Sequence, residues 1–342
     1  MVQGRELSVK VIDLRGSYNQ IGMEQSKEAI TSFILENQIS QNLKSEYDTL
    51  EVTELLTELS PNLLSELEGL SKGLNQELGT ILQIFSGYDV DLPAMGCTSL
   101  GTDHYYVRNY DFSPDLYDAR LVFCKPVNGF ASVGFSQQLI GRLDGMNEKG
   151  LIVGLHFVNK THHKKGFIST TIVRQLLEQC ETTEEAINLI KRIPHGYCYN
   201  YSIMDRHGVK VIVEASPEEQ VINFLHPLTC TNHFESEALM EKNRVNIQGS
   251  VKRRDYIEKL QSEFVSPLSA YEQFNNETSP LFYKNYQEYF GTLHTVVYIP
   301  KDLEIIVGIG GNCKPMRFSL IDYVNDSFVL PETISGVIRQ KV

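Results

Sequence analysis

Pro93-Ala94-Met95-Gly96-Cys97-Thr98-Ser99, followed by Tyr105-Tyr106-Val107-Arg108-Asn109-Tyr110-Asp111-Phe112, is the stretch on which the reading of this chain turns. A glycine directly precedes Cys97 and two hydroxyl residues follow it. Arg108 and Asp111 return in a segment that reads as a strand, so a hairpin brings an Arg-x-x-Asp beside the cysteine. Cys97 therefore has the look of an N-terminus enclosed within a longer chain. Cleavage before it would free its own α-amine to act as a base. An α-amine titrates near ~7.7–8.0 and a thiol near ~8.5, so moving the thiol proton to that amine costs only about 1 kcal/mol.

Around this stretch the chain changes character. The first 96 residues are mostly helical in pattern. Ser17 is placed to cap a helix through Ile21, Met23, Ala29, Ile30, Phe33 and Ile34. Pro61 suits the first turn of another that carries Leu63, Leu64, Leu67, Leu70 and Leu74. Gly79 and Gly87 read as punctuation at the helical exit, and Pro93 leads into Met95-Gly96. Beyond Cys97 strands dominate: Leu121–Cys124, Ala131–Phe135 and Leu151–Leu155. Helices are expected over Thr171–Cys180 and from a Thr182-x-x-Glu185 capping box to before Pro194. Strands return at Tyr201–Asp205 and Val209–Val213, joined by an Arg206-His207-Gly208 turn. A polar, helical stretch 236–290 precedes the last two, His294–Tyr298 and Leu303–Val307. Strands, helices and strands again predict a layered α+β sandwich with antiparallel sheets.

Composition narrows the function classes. The chain has 342 residues, 42% hydrophobic and 22% charged, which is ordinary for a folded protein with ample core. The net charge is −12, of which −9 falls on residues 1–96. Such a chain repels phosphate backbones, and Lys252-Arg253-Arg254 is too short to reverse that, so nucleic acid and anionic membranes are poor partners. No apolar run approaches the ~18–20 residues of a membrane span. The N-terminus lacks the apolar core of a secretory signal, which reads as a cytoplasmic protein. Cys97, Cys124, Cys180, Cys198, Cys230 and Cys313 are scattered without Cys-x-x-Cys or metal-ligand spacing, so reduced buried thiols are expected at all but Cys97. His162-His163-Lys164-Lys165 reads as a solvated loop and Gly308-Ile309-Gly310-Gly311 as a turn. Neither supplies a metal or nucleotide site, and no cofactor is expected.

The motifs, taken in order, resemble one family. Gly96-Cys97-Thr98-Ser99, Arg108-Asn109-Tyr110-Asp111, Asp144-Gly145-Met146-Asn147-Glu148-Lys149-Gly150-Leu151, Thr231-Asn232-His233-Phe234, and Ser250 with Arg253 are similar to the penicillin acyltransferase branch of the N-terminal nucleophile (Ntn) hydrolases. That branch is related to choloylglycine (bile salt) hydrolases, penicillin V acylases and acid ceramidase. Gly16-Ser17-Tyr18-Asn19-Gln20-Ile21-Gly22 also resembles its pro-segment. The resemblance implies a four-layer αββα sandwich, with 1–96 as a helical pro-segment and 97–342 as the hydrolase domain. It implies cleavage between Gly96 and Cys97, with the two pieces remaining associated.

The same resemblance assigns roles. Cys97 is the nucleophile, and Gly96 permits the strained backbone of an N-to-S acyl shift. Asp111 holds the α-amine and Arg108 lies near the sulfur, although three residues apart on a strand they need not point the same way. Asn232 donates to the oxyanion, or else is an Asx-turn residue. Arg253 brings a second positive charge, with Arg254 leaving the register open. Asn147 reads first as a hairpin-turn residue. One departure stands out: bile salt hydrolases carry Gly-Leu-Asn-Phe where this chain has Gly154-Leu155-His156-Phe157. His156 is then either a replacement oxyanion donor or a buried strand histidine. The implied activity is hydrolysis of the linear amide of an N-acylated small molecule through a thioester, with a small N-acyl amide or acyl-thioester as substrate. Acyl transfer to an amine, or an uncleaved homologue that only binds, stays open, as does a homo-oligomer.

Overall fold

Cys97 lies inside a strand. The computed structural model describes residues 2–30, 47–91, 94–260, 265–286 and 290–341; Phe33, Ile34 and Pro93 lie outside them. The chain opens with β1 (Val2–Gly16), then α1 (Tyr18–Ile30), α2 (Thr49–Leu59), α3 (Pro61–Leu74) and α4 (Leu78–Phe85). Next come β2 (Gly96–Gly101), β3 (Tyr106–Phe112), β4 (Arg120–Pro126), β5 (Ser132–Gln137), β6 (Gly141–Arg142), β7 (Asp144–Asn147) and β8 (Ile152–Asn159). Helices α5 (Ser169–Gln179) and α6 (Thr183–Ile190) precede β9 (Cys198–Met204), β10 (Lys210–Ala215), β11 (Gln220–Phe224) and β12 (Leu228–Cys230). Helices α7 (Gln248–Lys259) and α8 (Pro267–Asn275) lead to β13 (Lys284–Asn285), β14 (Phe290–Ile299), β15 (Glu304–Ile309) and β16 (Met316–Ser319). The short α9 (Leu320–Val324) and β17 (Thr333–Lys341) end the chain.

Two sheets result. The larger runs β11-β10-β9-β8-β7-β5-β4-β1-β17 and the smaller β12-β2-β3-β14-β15-β16, with β6 and β13 paired at their sides. They face each other. Tyr106 of β3 bonds Ser202 of β9 at 2.6 Å, and Tyr298 of β14 donates to Asp144 of β7 at 2.5 Å. Helix α5 covers the outside of the larger sheet and α8 that of the smaller. A cluster of Leu100, Val107, Ile257, Tyr271, Phe274 and Val297 fills the layer under α7 and α8. This is the expected four-layer α+β sandwich.

Local chemistry explains most helix ends. The Ser17 hydroxyl accepts from Gln20 N, and Gln20 Oε1 accepts from Ser17 N at 2.9 Å. Pro61 occupies the first turn of α3, whose Leu63, Leu67 and Leu70 are buried. Thr182 Oγ1 accepts from Glu185 N, but the Glu185 carboxylate reaches Glu181 N, so only half of the capping box forms. Helices α1 and α3 cross closely: a Cβ at Gly22 would lie 1.9 Å from Glu66 O, and one at Gly69 2.0 Å from Asn19 O.

Four features depart from the sequence reading. The segment before α1 is a 15-residue strand, so residues 1–96 are not purely helical. It pairs antiparallel with β17, itself unforeseen, and parallel with β4, an exception to the antiparallel pattern. Alternation such as Leu7, Val9, Val11 was masked by charges at Arg5, Glu6, Lys10 and Asp13. Gly79 sits inside α4, carried by the apolar neighbours Ile81, Leu82, Ile84 and Phe85, all buried. The stretch 236–290 holds α7 and α8 but also loops and β13.

Candidate active site

The β2–β3 hairpin pairs Gly96 with Asp111, Cys97 with Tyr110 and Ser99 with Arg108. Facing residues of an antiparallel pair share a side of the sheet. Cys97, Ser99, Arg108 and Tyr110 therefore point between the sheets. Gly96, Asn109 and Asp111 face α7 and α8. Arg108 and Asp111 do point opposite ways, and each meets a different part of the Gly96–Cys97 unit.

On the inner side, Arg108 Nη2 donates to Cys97 Sγ at 2.9 Å and to Leu155 O at 2.7 Å, while Nη1 bonds Asp144. Asp144 also accepts from Tyr298 OH, and all of these side chains are fully buried. Burial disfavours the Arg108 cation, but Cys97, once it is a thiolate, and Asp144 outweigh it and favour the charged guanidinium. Burial pushes the Cys97 thiol up to about 11, against the pull of Arg108. In the uncut chain Cys97 is therefore a protonated thiol at neutral pH.

On the outer side, Asp111 Oδ2 accepts from Arg253 Nη1 at 3.0 Å and Oδ1 from Thr292 Oγ1 at 2.6 Å. Burial raises the Asp111 carboxyl in spite of Arg253. A Cβ on Gly96 would sit 3.1 Å from Asp111 Cβ and 3.2 Å from Oδ2. Asp111 is held by Arg253 and Thr292, so a side chain at Gly96 would press on a tethered carboxylate, while Gly96 itself has no left-handed φ.

Asn232 joins the two sides. Its Oδ1 accepts from Cys97 N at 2.8 Å and from Arg253 Nη2 at 2.8 Å, and its Nδ2 donates to Phe157 O at 2.9 Å. Two donors on one atom and a carbonyl on the other fix the amide orientation. In the uncut chain Asn232 thus presents oxygen, not N–H, to Cys97. Its backbone is held as well: Ser250 Oγ accepts from Asn232 N at 2.7 Å, and Asn200 Nδ2 reaches the carbonyls of Thr231 and His233. Ser250 and Arg253, one turn apart on α7, both serve Asn232. That sets the register: Arg253 is buried in the site, whereas Arg254 pairs outward with Glu235 and Asp255.

His156 is fully buried, with Nε2 2.9 Å from Ser202 Oγ and 3.2 Å from Ser99 Oγ. Burial first, then Arg108, hold it well below the usual histidine range, while the Cys97 backbone pulls the other way. It is a neutral imidazole. Asn147 closes its turn by accepting from Lys149 N and Leu151 N and ties it to α5 through the carbonyls of Leu177 and Cys180. Asp144 and Arg244 carried no role in the sequence reading. Asp144 stood within a quoted motif, but its facing of Arg108 exists only across the two sheets. Among the described residues no group of His, Cys, Asp or Glu could hold a metal ion, and no helix is long and apolar enough to cross a membrane.

The family model of acyl-coenzyme A:6-aminopenicillanic acid acyl-transferase matches residues 98–313. Similar solved structures include penicillin V acylase from Agrobacterium tumefaciens, at 14% identity over 65% of this chain and 84% of that one, TM-score 0.46. A conjugated bile acid hydrolase from Clostridium perfringens has 13% identity over 72% and 97%, TM-score 0.47. The Caenorhabditis elegans N-acylethanolamine-hydrolyzing acid amidase ortholog has 15% identity over 60% and 93%, TM-score 0.42. A search of curated proteins gives no match. With more than half of its length matched, the chain belongs to the acyl-coenzyme A:6-aminopenicillanic acid acyl-transferase family.

Proposed function

We propose that this chain cuts itself before Cys97 and then cleaves the linear amide bond of an N-acylated small molecule through a thioester on Cys97. The observation that carries the reading is the double hold on one residue: Arg108 Nη2 at 2.9 Å from the sulfur and Asn232 Oδ1 at 2.8 Å from the nitrogen. Freed by cleavage, that nitrogen is an amine of pKa near ~7.7–8.0 beside its own thiol. It takes the thiol proton as sulfur attacks the acyl carbonyl, then returns it to the leaving amine. Arg108 stabilises the thiolate, Asp111 and Asn232 Oδ1 orient the amine, and Arg253 holds both of these. The oxyanion is met by Asn232 Nδ2, once it leaves Phe157 O, and by His156 as a neutral donor. Water as acceptor completes hydrolysis; an amine acceptor makes the same thioester an acyl-transfer intermediate.

Intact mass under denaturing conditions tests this directly. Two fragments meeting at Gly96/Cys97 are expected from the wild type, and one mass near 38.9 kDa from Cys97→Ala. A wild type that stays whole yet turns over an amide overturns the mechanism, because its base is still a peptide nitrogen. The complete burial of Cys97 favours a second reading, an uncut homologue that binds without catalysis. That reading requires a single mass and no turnover. Activity is also expected to survive EDTA and to vanish on alkylation of Cys97. Loss on chelation, restored by zinc, contradicts the thiol mechanism.

A further inference from the structure

A cavity of about 380 Å³ opens beside the Gly96–Cys97 bond, walled by Gly96, Asp111, Arg244, Ser250, Arg253 and Tyr283. Its charges do not balance. Asp111 is engaged by Arg253 and Thr292, and both terminal nitrogens of Arg253 are committed, one to Asp111 and one to Asn232. That pair balances in charge, with only Arg253 Nε left buried without a partner among the described residues. Arg244 is left over. Among the described residues its one hydrogen bond is a long 3.5 Å contact from Nη2 to Asn232 O, and its Nε is buried with no partner. Burial and the nearby Arg253 charge both disfavour its cation. A partly desolvated guanidinium with an open fork gains most from a planar anion that accepts two hydrogen bonds. Asn246, Ser250 and Asn285 line the same space with further polar groups.

The geometry points to a carboxylate subsite centred on Arg244, beside the bond that becomes the nucleophile's amine. The inference rests on the proposed self-cleavage and amidase reading, and two sources of carboxylate follow from it. One is an acid group on the leaving amine, as in an N-acyl amino acid: that amine must collect its proton from the Cys97 nitrogen, at the end of β2 that this cavity borders. The other is Gly96 itself. In self-cleavage the Gly96 carbonyl passes from nitrogen to sulfur, and water then breaks the C–S bond. The oxygen of that water stays on Gly96 as a carboxylate, the thiol regains a proton, and the second water proton is released. The new C-terminus is formed at the cavity wall.

Binding to the uncut Cys97→Ala protein tests the subsite without turnover. Calorimetric titration is expected to show benzoylglycine binding at least ~10-fold tighter than the neutral benzoylglycinamide. Arg244→Ala in that background is expected to erase the difference, and Arg244→Lys to retain part of it. Equal affinity for acid and amide, or acid binding indifferent to Arg244→Ala, overturns the proposal. The sources separate in mature enzyme with two N-acyl anilides, one bearing a ring carboxylate. If the substrate acid is held, Arg244→Ala lowers kcat/KM for the carboxylated anilide about 10–100-fold more than for the plain anilide. If Gly96 holds the site, benzoylglycine no longer binds mature protein, and binding returns when carboxypeptidase removes Gly96. Acid binding to the uncut protein with no turnover of either anilide supports the subsite and rejects the amidase reading alone.

Discussion

Asn232 presents a different atom to Cys97 from the one its proposed role uses. Its Oδ1 serves the Cys97 peptide N–H, and its Nδ2 is occupied by Phe157 O. Donation to an oxyanion therefore requires Nδ2 to exchange that carbonyl for the reacting one. Asn232→Ala is expected to lower kcat about 10²–10³-fold with little change in KM, since such a bond tightens only in the transition state. Single-turnover kinetics on mature protein with an N-acyl chromogenic amide measure it; wild-type kcat would make the residue structural. Asp111→Asn is expected to slow maturation and turnover together and to shift the pH profile of the remaining activity. Gly96→Ala meets Asp111 at 3.1–3.2 Å and is expected to retard self-cleavage, read as the fraction of uncut mass over time.

Helix α7 carries the site's second cation only because its short polar face meets the end of β2, where Ser250 and Arg253 both reach Asn232. The turn after α6 offers a test of stability. His195 is buried, and burial holds its imidazole down at about 4, against a backbone contact from Ile193. A folded pKa below the unfolded value near ~6.5 means the unfolded chain binds the proton first. Stability from this residue is complete above pH ~6.5 and is lost as pH falls towards 4, on the order of 3 kcal/mol. Chemical denaturation between pH 7 and 4 is expected to show that decline, and His195→Gln to flatten it. A decline of equal size in the variant would assign it elsewhere.

Across the whole molecule, the described residues that precede Cys97 are built into the body. Strand β1 lies between β4 and β17, and a buried group ties α3 to α5: Glu66 accepts from Arg174 at 2.7 Å, with Glu178 on the same guanidinium. Gln25 of α1 joins through Glu66. Cutting the chain before Cys97 breaks none of these contacts. The two fragments are expected to co-elute as one particle in native size exclusion and to part only in denaturant. Arg174→Met leaves two buried carboxylates without their cation and is expected to cost about 3–5 kcal/mol in urea unfolding. A mature enzyme that sheds its first 96 residues while active would refute this picture.

The hairpin, the cysteine with its preceding glycine, and the Arg108 and Asp111 spacing were legible in order along the chain, because they depend on local strand pairing and turn chemistry. So were Asn232, and Arg253 as one of two registers, as motifs. What the chain order does not contain is which atoms meet. The partners met by Arg108 and Asp111 on the two sides of the sheet, the orientation of the Asn232 amide and the choice of Arg253 over Arg254 all follow from contacts between segments distant in sequence, or from the face a helix presents. Strand β1 was hidden for the same reason: its charges mask an alternation that only pairing with β4 and β17 makes favourable. Asp144 beneath Arg108, and Arg244 at the cavity wall without an ion-pair partner among the described residues, belong to the tertiary structure alone. Both are defined by where buried charge is balanced and where it is not, and that balance is a property of the packed molecule.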